Sequence, residues 1–111
     1  MDVVSYSSKM AEDDVGTLKL LAERRIVIEK YTKSHGGRIF NTAGDAFMID
    51  FSSPVEAVNA AIKIQKEIFL LNKNLSNEKN LEFRVGINMG DVIIEDNNLF
   101  GDGVNVAARL E

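Results

Sequence analysis

The chain has no cysteine and a single histidine, His35. Without a thiol, disulfides, thiolate zinc sites and cysteine nucleophiles are excluded together, and the composition agrees with a reducing compartment. Histidine chemistry is nearly closed as well, because His35 stands beside two glycines at a predicted helix end, where the helix C-terminus by itself favours an imidazole. Long apolar runs are missing, and the first residues lack the charged-then-apolar order of a signal peptide. The expectation is a soluble, cytoplasmic segment that makes no membrane contact, with any anchor lying elsewhere in a longer protein. Basic excess is missing too: 13 Lys and Arg stand against 17 Asp and Glu, a formal net charge of -4 with a pI near 5.0. That balance argues against a general nucleic-acid surface. Internal repeats and low-complexity tracts are absent.

What is present suffices for one compact domain: 111 residues, 45% hydrophobic and 27% charged, ordinary values for a globular chain. The stretch from Gly36 to Phe51, GGRIFNTAGDAFMIDF, reads as two short strands folded back on a tight turn. Arg38-Ile39-Phe40 leads in and Ala46 to Phe51 leads out. Thr42-Ala43-Gly44 is too small and flexible to continue either strand, which leaves Asp45 at a solvated, rigid tip.

Upstream, Met1 to Tyr6 reads as the end of a buried strand, so the expectation is a fragment of a longer protein. Ser7 and Ser8 are candidate helix caps, followed by Val15, Leu18, Leu21, Ala22, Ile28 and Tyr31 at helical spacing. His35-Gly36-Gly37 stops that helix. Ser52, Ser53 and Pro54 start a second one, with Val55, Val58, Ala61, Ile62, Ile68 and Leu71 as its apolar stripe. After a polar connection to Asn80, Leu81 to Met89 alternates like a strand. Gly90-Asp91 turns it into a strand at Val92-Ile93-Ile94, Asp96-Asn97-Asn98 turns again, and Gly101-Asp102-Gly103 opens a final helical segment through Glu111.

This order predicts an α+β domain with a ferredoxin-like βαββαβ core, in which the first and third strands are antiparallel neighbours. Asp2 and Asp45 then meet at one sheet edge. Either aspartate alone is more simply read as a turn former, but two carboxylates together suit a hard divalent cation such as magnesium, which takes oxygen ligands alongside substrate phosphates. Asn105 and Arg109, four residues apart, share a helix face. A neutral donor beside a charged fork can hold a ribose oxygen and a phosphorane charge. From that pair alone, a decorated helix with a surface ion pair is the simpler reading.

Five blocks in order carry a resemblance: Asp2-Val3-Val4, His35-Gly36-Gly37-Arg38, Gly44-Asp45, Arg84-Val85-Gly86-Ile87 with Gly90-Asp91-Val92, and Gly101-Asp102-Gly103-Val104-Asn105-Val106-Ala107-Ala108-Arg109-Leu110. Together they resemble the catalytic domain of class III adenylate/guanylate cyclases in its bacterial form. The resemblance covers nearly the whole chain, residues 1–111 as one partial domain, incomplete at both ends.

The resemblance implies Asp2 and Asp45 as metal-binding carboxylates with the Val3 carbonyl beside them, holding two Mg2+ or Mn2+ ions. It implies a triphosphate loop in the backbone amides of Val4, Ser5, Tyr6, Ser7 and Ser8, and a catalytic pair in Asn105 and Arg109. A nucleoside triphosphate would be cyclised to a 3′,5′-cyclic nucleotide and pyrophosphate in signal transduction, at the interface of a homodimer, since this chain carries both halves of the site. The base-reading positions depart from the pattern. Asn41 stands where adenylate-type members have Lys and guanylate-type members Glu, and Asn98 where the partner's reader is usually Asp, Thr or a small residue. ATP is the leading substrate, with GTP or a pyrimidine nucleotide as alternatives. Ser5 stands where a glycine is common, and a triphosphate-contacting Lys would lie beyond Glu111. A second reading is a non-catalytic cyclase-like domain that binds nucleotide or dimerises.

Overall fold

A two-residue turn sets the register of the central hairpin. Gly44 and Asp45 separate Ala43 from its cross-strand partner Ala46, and Gly44 has φ 58°, the positive value that a two-residue hairpin turn reserves for glycine at its first position. In the computed structural model the described residues are 1–73, 75, 80–87 and the backbone of 93–95 and 98–100. They form β1 (Asp2–Val3), α1 (Tyr6–Glu12), α2 (Asp14–Ser34), β2 (Arg38–Ala43), β3 (Ala46–Asp50), α3 (Pro54–Asn72), β4 (Phe83–Arg84), β5 (Ile93–Glu95) and β6 (Asn98–Phe100). The stretch expected as one helix between Ser7 and His35 is thus two helices, α1 and α2.

β1 pairs antiparallel with β4, with Asp2 opposite Arg84 and Val3 opposite Phe83. β2 pairs antiparallel with β3, with a bulge between Ile39 and Asn41. Met1 joins these ladders: its amino group donates to the Phe47 carbonyl at 2.8 Å and its carbonyl accepts from the Phe47 amide at 2.8 Å. This mutual exchange is the signature of an antiparallel pair. The strand order is therefore β4-β1-β3-β2, the ferredoxin-like arrangement, with the first and third strands side by side. β5 and β6 form a separate antiparallel ribbon, Ile93 opposite Phe100 and Glu95 opposite Asn98, and β6 lies near β2.

Strand alternation sends Met1, Val3, Phe47 and Phe83 to one face, where Leu21, Val27 and Ile28 of α2 and Ile64 and Ile68 of α3 complete a single buried cluster. Phe47 and Phe83 meet with ring centroids 6.4 Å apart, tilted by 60°, a favourable aromatic geometry. The helices are tied to each other by Lys30 Nζ and Tyr31 Oη, which both donate to Glu67 Oε1, at 3.2 and 3.0 Å. His35 Nδ1 lies 2.6 Å from Glu56 Oε2, linking the end of α2 to the start of α3. Opposite the core, Asp2 and Arg84 occupy the other face.

The end of α2 is built as the glycines predict. The Gly36 amide donates to the Lys33 carbonyl at 3.2 Å and the Gly37 amide to the Thr32 carbonyl at 2.8 Å, with Gly36 at φ 73°, the bond pattern of a Schellman cap. Several expectations are corrected. Ser7 and Ser8 lie inside α1; the caps are Ser5 and, for α2, Asp13, whose side chain accepts from the Gly16 amide. Thr42 and Ala43 continue β2 rather than forming the turn. The predicted helix stripes hold in part: Leu21, Ile28 and Ile68 are buried in the core, but Val15, Leu18, Val55, Val58, Ile62 and Leu71 are exposed, and Thr17, Arg24, Thr32 and Ala60 are buried in addition. Of the strand expected over Leu81 to Met89, the described residues show Phe83–Arg84 as strand. Asn98 starts β6 instead of completing a turn. The final helical segment, with Asn105 and Arg109, lies outside the described residues.

Candidate functional site

The pairing of Met1 with Phe47 places Val3, two residues on, beside Asp45, two residues back. Asp45 Oδ2 accepts a hydrogen bond from the Val3 amide at 2.9 Å. The hairpin therefore does not leave Asp45 at a solvated tip as the sequence suggested. Its carboxylate is half-buried and fixed against the end of β1, because an antiparallel neighbour supplies the amide at that point.

Asp2 is held from the other side. Arg84 Nε donates to Asp2 Oδ1 at 3.1 Å and Arg84 Nη2 to Asp2 Oδ2 at 3.2 Å, a bidentate fork on a carboxylate. The cause is register: residues directly opposite in an antiparallel pair share a face and lie close. Within the motif Arg84-Val85-Gly86-Ile87 nothing local marks Arg84 as the partner of Asp2. The signal that would have found it is the pairing of the first strand with the strand after α3, which turns a distance of 82 residues into a cross-strand contact.

The end of β1 leads directly into α1. The Val4 amide donates to the Glu82 carbonyl at 2.8 Å, so it is engaged within the sheet. The first bond of α1 runs from the Lys9 amide to the Ser5 carbonyl at 3.1 Å; the amides of Tyr6, Ser7 and Ser8 are those that a helix start leaves without intrahelical acceptors. Ser5 makes the connection with φ 58° and ψ 37° and no side-chain cap bond, a left-handed conformation that costs a non-glycine residue about 1–2 kcal/mol.

Asn41 is exposed on β2, across from Met48. It stands just past the bulge, with Arg25, Thr32 and Arg38 among its neighbours around an open cleft of about 530 Å³ between α2 and β2. Asn98 has its backbone in β6. The structure thus brings Asp2, Val3 and Asp45 together beside the start of α1, and holds Asn41 on a separate strand.

Oxygen donors on two carboxylates with a backbone strand end between them are a set that a hard divalent cation accepts. Among the described residues no three His, Cys, Asp or Glu side chains converge as a metal cage.

The site thus consists of Asp2 on β1 and Asp45 in the turn beside it, held by Arg84 and the Val3 amide respectively, next to the start of α1. Residues 1–111 match the family of adenylate and guanylate cyclase catalytic domains over their whole length, and the chain belongs to that family. It is 42% identical over 111 residues to "Putative adenylate cyclase 3" of Rhizobium meliloti (strain 1021), covering 99% of this chain and 19% of that protein. It is 33% identical over 91 residues to the uncharacterized protein Rv2212 of Mycobacterium tuberculosis, covering 82% of this chain and 22% of that protein. The chain thus spans about a fifth of the length of these relatives. Among solved structures, an adenylate/guanylate cyclase/hydrolase from Silicibacter pomeroyi superposes with a TM-score of 0.84 at 36% identity, over 98% of this chain and 63% of that one. A bacterial light-regulated adenylyl cyclase has the same fold, with a TM-score of 0.76 at 24% identity, over 99% of this chain and 37% of that one. Among the described residues no helix is long and apolar enough to cross a membrane.

Proposed function

We propose that this domain converts a nucleoside triphosphate, ATP first among them, into its 3′,5′-cyclic nucleotide and pyrophosphate, as the output step of a signalling protein. The observation that carries the reading is the hydrogen bond from the Val3 amide to Asp45 Oδ2 at 2.9 Å, which sets the second carboxylate beside the strand that bears the first. Asp2, Asp45 and the Val3 carbonyl would hold Mg2+ or Mn2+, two ions per site. When bound, such ions activate the attacking oxygen and neutralise charge on the leaving phosphates.

The chain's own residues position and stabilise. The Val3 amide orients the Asp45 carboxylate, and the amides of Tyr6, Ser7 and Ser8 present partial positive charge to the triphosphate, as a helix start does. The Val4 amide, engaged by Glu82, contributes by fixing where that loop begins. Asn105 and Arg109, supplied by a second copy of the chain in a homodimer, would orient the ribose and meet the charge that develops on the α-phosphate. The ribose 3′-oxygen bonds to the α-phosphorus while the bond to the bridging oxygen of the β-phosphate breaks; the 3′-hydroxyl proton is released and pyrophosphate leaves. Most of the rate enhancement is then positioning and electrostatics. Incubating the full-length protein with ATP, GTP, CTP or UTP and either metal tests this: a cyclic product is expected from at least one, and no product from any of them would sink the reading.

Asn41 favours a second reading, a cyclase-like domain that binds nucleotide or dimerises without turnover, since an exposed amide on β2 selects no base by charge. In that case Asp45→Ala leaves signalling intact; in the enzymatic case output and cyclic product disappear together.

A further inference from the structure

The two proposed metal carboxylates are held by opposite kinds of partner. Asp45 accepts from a neutral backbone amide through one oxygen, a bond that can persist while its other oxygen faces a cation. Asp2 has both oxygens on the Arg84 guanidinium, at 3.1 and 3.2 Å. A divalent ion bound through Asp2 must take at least one of these oxygens, and it places a like charge within a few ångströms of the guanidinium. The two cations cannot share the carboxylate without mutual repulsion. The Arg84 side chain is 51% exposed and that of Asp2 22% exposed, so the arginine has solvent to move into, whereas the carboxylate is confined by its strand.

We propose that Arg84 is a displaceable internal cation at the metal site. It holds Asp2 in a single orientation while no metal is bound, and it must give way when the divalent ion arrives, which raises the metal concentration the site needs. Arg84 is thus a positioning residue acting through Asp2. The inference rests on the reading of Asp2 as a metal ligand.

The opposing effects can be ranked. Pre-ordering Asp2 helps metal binding, but an aspartate has only two side-chain torsions, so the entropy that Arg84 removes in holding it is small. Competition for both oxygens is the larger effect. Its size is that of a half-exposed bidentate pair, so removing the guanidinium should tighten metal binding by about fivefold.

The test is direct Mn2+ binding to the chain, followed by the electron paramagnetic resonance of free Mn2+, for wild type, Arg84→Met, Arg84→Lys and Asp45→Asn. Arg84→Met keeps the apolar stem and loses the charge; it should bind more tightly than wild type, with Arg84→Lys between them. A merely structural role for Arg84 would weaken binding when the residue is replaced, so a gain is diagnostic. Equal or weaker binding by a folded Arg84→Met protein overturns the proposal while leaving the metal site standing, provided wild type binds and Asp45→Asn does not. Absence of Mn2+ binding by wild type overturns both. A second measurement avoids substitution at the site: the 15N–H resonance of Arg84 Nε, assigned by its loss in Arg84→Lys, should shift on saturation of wild type with Mg2+. A resonance that stays in place while the Asp2 carboxyl carbon shifts overturns the displacement.

Discussion

The Val3 amide and the Asp45 carboxylate are joined by a 2.9 Å hydrogen bond across 42 residues of sequence. The bond serves the fold and the proposed chemistry at once, and conservative replacement separates the two. Asp45→Asn keeps an oxygen to accept from Val3 and removes the charge; Asp45→Ala removes both. Asp45→Ala should destabilise the domain by about 1–3 kcal/mol, the cost of an unmet amide at a half-buried position. Asp45→Asn should melt close to wild type yet lower cyclase activity of the full-length protein by about a hundredfold or more, the size of a lost metal-ligand charge. Thermal melts and product assays on both variants check this, and an Asp45→Asn protein with wild-type turnover would remove Asp45 from the site.

The hairpin, the Schellman end of α2 and the neighbouring of the first and third strands were legible because each depends on local chemistry or on short-range topology: Gly36 and Gly44 at positive φ, and alternating apolar residues around Phe47. The helix faces were legible only in part. α2 carries apolar residues all round, with Val15, Leu18 and Ile26 exposed and Leu21, Val27 and Ile28 buried, so periodicity alone does not choose the inward side. It is chosen by what α3 and β2 offer, and that choice buries Thr17, Arg24 and Thr32. The placing of Asp45 against the end of β1 followed from strand order, whereas the Asp2–Arg84 pair required the cross-strand register of β1 on β4, which no local pattern encodes.

Ser5 is the described non-glycine residue with positive φ, at 58°, and its side chain makes no cap bond with α1. Replacing it with glycine therefore removes conformational strain without losing a hydrogen bond. The left-handed penalty of about 1–2 kcal/mol is partly offset by the larger freedom of glycine in the unfolded chain, about 0.4–1 kcal/mol. Ser5→Gly should raise stability by up to about 1 kcal/mol, and Ser5→Val, with a β-branched side chain, should lower it by about 1–2 kcal/mol. Chemical denaturation of the three proteins gives the order Gly, Ser, Val; any other order means that the loop relaxes out of the left-handed region.

Arg24 is 3% exposed, and its contacts are sparse. Nη2 donates to Asn72 Oδ1 at 3.1 Å, Nη1 lies 4.0 Å from the largely exposed Glu23 carboxylate, and Nε has no partner. Burial pushes the guanidinium below its ordinary pKa, with Glu23 pulling it partly back. A buried charge with incomplete pairing is replaceable by an apolar chain of similar shape. Asn72 retains the Leu81 amide as a donor to Oδ1 at 3.3 Å, so Arg24→Met should be neutral or stabilising by about 1 kcal/mol. Asn72→Ala, which strands both Arg24 and the Leu81 backbone, should cost about 1–3 kcal/mol. Urea midpoints decide the matter: a loss of more than about 2 kcal/mol in Arg24→Met would show that the arginine is a net stabiliser.

Base choice rests on Asn41. Its amide offers a donor and an acceptor at once, where the family resemblance has Lys for adenine and Glu for guanine. Discrimination between purines by a single neutral amide should be weak, so kcat/KM for ATP and GTP in the full-length protein should differ by no more than about tenfold. Asn41→Lys should move that ratio towards ATP and Asn41→Glu towards GTP, each by about tenfold, since a charged partner either completes or leaves unpaired one edge of the base. The residue is exposed on β2, so both variants should fold as wild type does, and the ratio reports recognition rather than damage. If neither substitution moves the ratio, the base is read elsewhere, and Asn98 on β6 becomes the position to vary.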